Sequence, residues 1–149
     1  MTQASLFPSP GRRSAVANVD GGSRGNPGPA AYGVRIQQDD GSVVELKALV
    51  GVATNNVAEY RGLLAALSWA IDAGIGRLLI RSDSELLVKQ MRGEYRVKNA
   101  GLQPLWEQAC RLVGRIGDVR FEHVRRELNR DADRLANEAM DEAAAREGG

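Results

Sequence analysis

Four acidic side chains stand close to the ends of predicted strands and helices, where separate segments of the chain can bring them together. They are Asp20, Glu59, Asp83 and Asp133. Carboxylates that converge from different elements suit a hard divalent cation, because Mg²⁺ takes oxygen ligands and keeps part of its shell for water or phosphate. Taken singly, each acid also fits a surface turn, a helix dipole or a helix face. Taken together, they favour a metal site.

A glycine-rich turn follows the first of these acids. The stretch V-D-G-G-S-R-G-N-P-G covers residues 19–28 and places Asp20 at the end of a short apolar segment. Glycine permits tight backbone conformations and lets a ligand approach the backbone closely. The turn is therefore a candidate binding loop, although an ordinary surface turn uses the same residue types.

Apolar periodicity, helix caps and turn residues predict an α/β fold with the element order βββαβααβα. The predicted strands are residues 15–20, 31–38, 42–50, 77–81 and 119–124, and the predicted helices are residues 54–73, 84–91, 102–116 and 130–146. Three hairpin-linked strands followed by alternating helices and strands imply a five-stranded mixed sheet flanked by helices on both faces.

This topology places the acids at one edge of the sheet. Asp20 and Asp83 end strands that run side by side, and the crevice at the carboxyl ends of strands is where α/β sheets bind ligands. Glu59 lies in the first turns of the long helix, and Asp133 lies early in the last helix. The four carboxyl groups are therefore expected to face one crevice.

The composition indicates one globular domain. The chain has 149 residues, of which 43% are hydrophobic and 26% charged. It carries a single cysteine and a single histidine, so zinc sites and Cys–His catalysis are close to excluded. No apolar run approaches the roughly 18 residues of a membrane span. We expect residues 1–14 to form a disordered tail rather than a signal peptide, and a cytoplasmic location without a membrane partner.

Positive charge is concentrated in the middle of the chain. Residues 77–130 contain twelve Lys or Arg against seven Asp or Glu, a net charge of +5, whereas residues 131–149 contain two against six, a net charge of −4. Arg92, Arg96 and Lys98 cluster in sequence around Tyr95, which predicts a surface that faces phosphate groups. A solvated charged face is the alternative for a cluster of this size.

Four motifs, each carrying one of the acids, resemble those of type 1 ribonuclease H and occur in that family's order. They are D-G-G-S-R-G-N-P-G-P-A-A-Y-G, T-N-N-V-A-E-Y, R-S-D-S-E-L-L-V-K-Q and E-L-N-R-D-A-D-R-L-A-N. The similarity runs from about Ala15 to Met140. It implies a ribonuclease H-like fold over residues 15–146, followed by a short tail at 147–149. It also implies a metal-dependent endonuclease that cuts the RNA strand of an RNA–DNA hybrid and leaves 5′-phosphate and 3′-hydroxyl ends.

The resemblance assigns the four acids as catalytic metal ligands. It implies two Mg²⁺ ions, with Mn²⁺ as a substitute, and Asp20 as the ligand that both ions share. Asp133 would help to hold the ion that activates the water, and Glu59 and Asp83 would hold the ion that faces the leaving oxygen. Four crowded carboxylates repel one another without metal, so partial protonation of the metal-free site is expected.

Several polar residues match positions of the family that contact the hybrid. Asn26, Asn55 and Asn56 would contact its minor groove, and Thr54 would lie near a phosphate of the DNA strand. Asn26 also suits a turn before proline, and Asn55 a helix cap. Glu85 stands where family members often have Gln, which puts that contact in doubt.

The chain departs from the family pattern in two further respects. The segment from Gly93 to Gln103 is too short for the basic helical protrusion of some members. The loop before Asp133 lacks the histidine that many members carry, although some compact members lack it too. Arg125 and Arg126 lie on this loop and are candidates to contact the leaving phosphate. His123 lies within a predicted strand, so we interpret it as structural.

Three other functions fit parts of the pattern. A non-catalytic nucleic-acid-binding module of the same fold would usually have lost an acid, and none is missing here. A nuclease of related fold that acts on DNA would not need the N-P-G and T-N-N motifs together. The chain could also be the ribonuclease H domain of a larger fused protein. The RNA–DNA hybrid is the only partner that the motifs imply, and we expect a monomer without a protein partner.

Overall fold

The computed structural model describes residues 12–148 and confirms the predicted order of strands and helices. The strands are β1 (Arg13–Ser23), β2 (Gly28–Gln38), β3 (Val43–Ala53), β4 (Ile75–Ser82) and β5 (Asp118–His123). The helices are α1 (Asn55–Asp72), α2 (Glu85–Met91), α3 (Gln103–Ile116) and α4 (Arg130–Gly148). A 3₁₀ turn at Arg126–Leu128, which was not predicted, precedes α4.

The five strands form one mixed sheet in the order β3-β2-β1-β4-β5. Strands β1, β2 and β3 pair antiparallel as two successive hairpins. Strand β4 pairs parallel with β1, and β5 pairs parallel with β4. Parallel neighbours need a crossover connection, which α1 supplies for the first pair and α2 with α3 for the second. The five-stranded mixed sheet is therefore as predicted.

Helices cover both faces of the sheet. α1 packs on β1 and β2 through a buried stripe that includes Ala58, Leu63 and Leu67, and α3 packs on α1. On the opposite face α4 crosses β1, β2 and β3, and its Ala139 and Met140 form a smaller buried cluster with Ala31. The main core thus lies between the sheet and α1, and α4 is held against the other side. Among residues 12–148, no helix is both long and apolar enough to cross a membrane.

Four of the five strands are longer than predicted, and α4 ends later than predicted. β1 begins at Arg13, whose guanidinium donates to the Ala73 carbonyl oxygen at 2.9 Å, so two residues of the predicted tail belong to the sheet. The rest of that tail, residues 1–11, lies outside the described residues. β1 also continues to Ser23, because it still pairs with β2 after its pairing with β4 has ended at Val19. α4 extends to Gly148 rather than to residue 146, since its Ala-rich end favours helix.

Candidate active site

The four predicted acids line one open cleft with a volume of about 650 Å³. The cleft lies where β1 and β4 stop pairing, at the carboxyl ends of these two strands. Other polar residues of its wall come from the glycine-rich turn, the starts of α1 and α2, the 3₁₀ turn and α4. These residues are Ser23, Arg24, Asn55, Asn56, Ser84, Glu85, Arg126 and Asn137.

Three of the acids form a group of the size that a metal ion needs. Asp20, Glu59 and Asp83 each offer one carboxylate oxygen, and these oxygens lie within 4.8 Å of one another. Asp133 joins them from the first turn of α4, close enough for a hydrogen bond between its carboxyl group and that of Asp20. Oxygen ligands that converge from four elements fit a hard divalent cation such as Mg²⁺.

Burial and mutual repulsion oppose full ionisation of this group. Desolvation, followed by the negative charge of Asp83, raises the pKa of Asp20 to about 8 and that of Glu59 to about 7. Desolvation also raises the pKa of Asp83, and the guanidinium of Arg126 counteracts it. Without a cation the site therefore retains protons at neutral pH. This is expected for a cluster of carboxyl groups that needs a bound cation to ionise fully.

Glu59 reaches this group because Gly21 allows α1 to approach β1 closely. A Cβ atom on Gly21 would lie 2.4 Å from the Ala58 carbonyl carbon and 2.4 Å from the Glu59 amide nitrogen. The first turn of α1 therefore packs directly on the strand that carries Asp20. The turn is fixed by Thr54, whose side chain accepts a hydrogen bond from the Val57 amide at 3.2 Å, so Thr54 rather than Asn55 is the helix cap.

Asp83 is held between β4 and α2 by two serines. The buried Ser82 hydroxyl accepts a hydrogen bond from the Ser84 amide at 3.0 Å, and the Ser84 hydroxyl caps α2 by accepting from the Leu87 amide at 3.2 Å. Ser84 also hydrogen-bonds the Glu59 carboxylate, which lowers the pKa of Glu59 against the effect of burial. The turn that presents Asp83 is thus tied to both helices beside it.

Asn129 fixes the start of α4 and with it the position of Asp133. It is 1% exposed, donates to the Val19 carbonyl oxygen at 2.9 Å and accepts from the Asn18 amide side chain at 3.0 Å. The Asp133 amide donates to the Asn129 carbonyl oxygen at 3.1 Å. Asn129 was not predicted as a functional residue, although an amide just before a helix is a typical cap.

The three predicted minor-groove residues and Thr54, the predicted neighbour of a DNA-strand phosphate, take two different places. Asn55 and Asn56 are exposed and line the cleft. Asn26 and Thr54 do not line it and instead support it. The Asn26 side-chain oxygen accepts from the Asn55 amide at 3.1 Å, and the Asn55 side-chain oxygen accepts from the Ser23 amide at 2.8 Å. The glycine-rich turn and the start of α1 are therefore locked together.

Arg24 lines the cleft and was not predicted as a functional residue. Its guanidinium lies 2.7 Å from the Asp141 carboxylate and 3.4 Å from the Asn137 side-chain oxygen, both on α4. The glycine-rich turn is thereby tied to α4 as well as to α1. Its partners lie more than 110 residues away, so no local pattern in the sequence indicated this contact.

The residues of the loop before α4 separate into those inside and those outside the cleft. Arg126 lines the cleft, with its guanidinium 3.8 Å from the Asp133 carboxylate. Arg125 does not line it, is 84% exposed and lies 3.8 Å from Glu127. His123 ends β5, outside the cleft lining, as the strand prediction required, but it is exposed rather than packed in the core.

The predicted basic cluster around Tyr95 does not form as expected. Arg92 turns towards β5, where its guanidinium donates to the Phe121 carbonyl oxygen at 3.0 Å, and the ring of Tyr95 is covered by the Lys89 ammonium at 4.9 Å. Arg96 and Lys98 are exposed in the segment between α2 and α3. Arg92, Arg96 and Lys98 all lie outside the cleft that the four acids line.

Comparisons with known proteins agree with this architecture. A model of the reverse transcriptase-like family matches residues 18–139. The ribonuclease H1 of the archaeon Halobacterium salinarum is 42% identical, with a TM-score of 0.81 over 88% of this chain and 98% of that chain. The chain belongs to the ribonuclease H family. The fold implied by the sequence resemblance is therefore confirmed.

Two further ribonuclease H structures are similar over their whole length. The N-terminal ribonuclease H domain of a Mycobacterium tuberculosis protein is 47% identical, with a TM-score of 0.85 over 92% of this chain and 99% of that one. A ribonuclease H1 named LC11, solved in complex with an RNA/DNA hybrid, is 39% identical, with a TM-score of 0.82 over 87% and 99% of the two chains. The chain spans only 36% of the curated mycobacterial relative and 64% of the halobacterial one.

Proposed function

We propose that this chain is a type 1 ribonuclease H that hydrolyses the RNA strand of an RNA–DNA hybrid and leaves 5′-phosphate and 3′-hydroxyl ends. The observation that carries the proposal is the convergence of four carboxyl groups from four elements in one cleft. A ribonuclease H1 that shares 39% of its sequence was solved with an RNA/DNA hybrid, which supports the choice of substrate.

The four acids would hold two Mg²⁺ ions, or Mn²⁺ in their place. Asp20 suits the role of the shared ligand, because its carboxyl group interacts with those of Glu59, Asp83 and Asp133. Bound divalent ions supply neutralisation of charge at the phosphate and a water nucleophile at neutral pH. The raised pKa values of Asp20 and Glu59 are consistent with a cation site, since cation binding would displace the protons that these groups retain.

The other residues of the cleft would recognise the hybrid. The side-chain amides of Asn55 and Asn56 can contact minor-groove atoms and the 2′-hydroxyl groups that distinguish RNA from DNA. Asn26 would act through its bond to the Asn55 amide, and Thr54 would lie near a phosphate of the DNA strand. These roles are consistent with the two hydrogen bonds that join the glycine-rich turn to the start of α1.

Arg126 would stabilise negative charge on the phosphate that is being cut. It is the arginine of the predicted pair that lines the cleft, and a guanidinium pairs well with phosphate oxygens. Arg96 and Lys98, with Arg125, would neutralise phosphates further along the hybrid, where binding depends on charge rather than on sequence. Arg92 would contribute mainly by holding α2 against β5.

A cleavage assay with matched variants tests this proposal. With Mg²⁺, the wild type should cut the RNA strand of a labelled hybrid, and excess EDTA should stop the reaction. Asp20→Asn and Asp83→Asn should lose cleavage, because each removes a ligand charge from the group. The control Asp72→Asn changes an exposed acid at the far end of α1 and should cut normally. Cleavage by Asp20→Asn within a few-fold of wild type, or cleavage in EDTA, would overturn the assignment.

A further inference from the structure

A fifth carboxylate, that of Glu85, lines the same cleft as the four acids. Glu85 is the first residue of α2 and comes directly after the Ser84 cap. It does not belong to the group of carboxylates whose oxygens lie within 4.8 Å of one another. A negative charge that is not a metal ligand is unfavourable in a cleft for nucleic acid unless it accepts a hydrogen bond from the substrate.

The Glu85 carboxylate is free to accept such a bond. Its side chain is 60% exposed, and the Lys89 ammonium lies 3.9 Å away, at the limit of an ion pair. Lys89 also donates to the Tyr95 hydroxyl at 3.3 Å and lies over the Tyr95 ring. Exposed ion pairs of this kind contribute little stability, so the interaction with Lys89 leaves the carboxylate able to bind a substrate donor.

The chemistry of the minor groove limits what this carboxylate can recognise. An ionised carboxylate only accepts hydrogen bonds. Among the base edges of the minor groove, the single donor is the N2 amine of guanine, whereas adenine, thymine and uracil present acceptors. The 2′-hydroxyl group is also a donor, but every ribonucleotide carries one, so it cannot produce a preference for one base.

The position of Glu85 in the chain limits which base it can reach. It is two residues beyond Asp83, so the two Cα atoms lie within about 7 Å. Neighbouring nucleotides are about 3.4 Å apart along one strand. Because the Asp and Glu side chains add to this backbone span, a base in contact with Glu85 belongs to a nucleotide within a few steps of the phosphate that the four acids would hold.

We propose that Glu85 makes this enzyme prefer guanine at one position of the RNA strand, close to the cut phosphate, by accepting a hydrogen bond from the N2 amine. The inference rests on the proposed function. It makes Glu85 a residue that determines sequence preference, not a metal ligand.

Inosine substitution tests the proposal, because inosine is guanine without the N2 amine. Hybrids of one sequence are compared in which single guanines of the RNA strand near the main cut are replaced by inosine. At one position, wild-type kcat/KM should fall about tenfold or more, the loss expected for one hydrogen bond to a charged group. Glu85→Ala should cut the guanine and inosine hybrids equally. Glu142→Ala, which removes a similarly exposed carboxylate paired with Lys47 outside the cleft, should keep the wild-type discrimination.

The outcomes are distinct. If inosine has no effect at any position, or has the same effect on Glu85→Ala as on wild type, Glu85 is only a surface partner of Lys89 and the proposal is wrong. An effect of inosine in the DNA strand alone would also overturn it. In each of these cases the wild type still cuts hybrids with Mg²⁺, so the proposed function stands. Failure of the wild type to cut any hybrid would instead contradict the proposed function itself.

Discussion

At the residue scale, the raised pKa values of Asp20 and Glu59 link the stability of the metal-free protein to pH. These carboxyl groups titrate near pH 4 when the chain is unfolded, but at about 8 and about 7 when it is folded. Between these values the folded protein binds more protons than the unfolded one. The free energy of unfolding in EDTA should therefore fall as the pH rises from about 4 to 8.

Asp20→Asn should remove much of this pH-dependent destabilisation. In EDTA at pH 8 the variant should be more stable than wild type by roughly 1 to 3 kcal/mol, because it no longer forces a buried charge beside Asp83. At pH 5 the difference should be small, since the native Asp20 is then protonated. Urea unfolding at both pH values measures the effect, with Asp72→Asn as the control. Equal stability of Asp20→Asn and wild type at pH 8 would show that the repulsion is not present.

Alanine substitutions of Arg126 and Arg125 should affect cleavage kinetics differently, because only Arg126 lines the cleft. Arg126→Ala should lower kcat more than it raises KM, since its cation would act on the phosphate that reacts. Arg125→Ala should mainly raise KM, and His123→Ala should change neither by more than about twofold. Steady-state kinetics of the three variants decide this. A large loss of kcat for His123→Ala with both arginine variants unaffected would contradict the assigned roles.

The convergence of the four acids in one cleft could be predicted from the sequence, because each lies in a local pattern at an element end. Asn129 and Arg24 could not be found in this way. Their partners, Val19 and Asp141, lie more than 100 residues away in sequence, and only the packed fold brings them together. The sequence also did not distinguish Arg126 from Arg125. The course of the 3₁₀ turn determines which of these two adjacent arginines reaches the cleft.

At the element scale, the close packing of β1 against the first turn of α1 positions Glu59. Gly21→Ala would place a Cβ atom 2.4 Å from the backbone of that turn, so α1 must shift away from the sheet. We expect a loss of about 2 kcal/mol or more in stability and a large loss of cleavage. Gly22→Ala is the matched control for stability, because nothing lies within 4 Å of its added Cβ atom. An equal loss of stability in the two variants, measured by urea unfolding, would contradict this account.

The ends of helices were predicted closely where cap residues or a terminating glycine mark them. The caps at Thr54 and Ser84 mark the starts of α1 and α2, and Gly74, with φ of 73°, ends α1. The length of β1 was underestimated because its last residues, Gly21 to Ser23, look like a turn in sequence. They are held in the sheet by pairing with β2, which is a tertiary effect that local propensity does not contain.

At the scale of the whole molecule, the basic segment between α2 and α3 should govern binding of the hybrid through charge. The double variant Arg96→Ala and Lys98→Ala should raise KM with little change in kcat. The logarithm of the binding constant should also depend less steeply on the logarithm of the salt concentration. The slope should become smaller in magnitude by about one for each phosphate group that is no longer neutralised. Arg92→Ala should instead reduce stability, because its bond to the Phe121 carbonyl oxygen is removed. Binding measured at several salt concentrations tests this, and an unchanged slope for the double variant would remove these residues from the interface.

We propose that this cleft cuts the RNA strand of a hybrid and leaves DNA intact. The most direct test labels each strand of one RNA–DNA hybrid in turn and compares it with a DNA duplex of the same sequence, with Mg²⁺ present. The RNA strand should be cut into fragments with 5′-phosphate and 3′-hydroxyl ends, while the DNA strand and the DNA duplex remain intact, because DNA lacks the 2′-hydroxyl groups that the amides of Asn55 and Asn56 would contact. Cleavage of the DNA duplex at a similar rate, or an RNA strand left intact, would contradict the account.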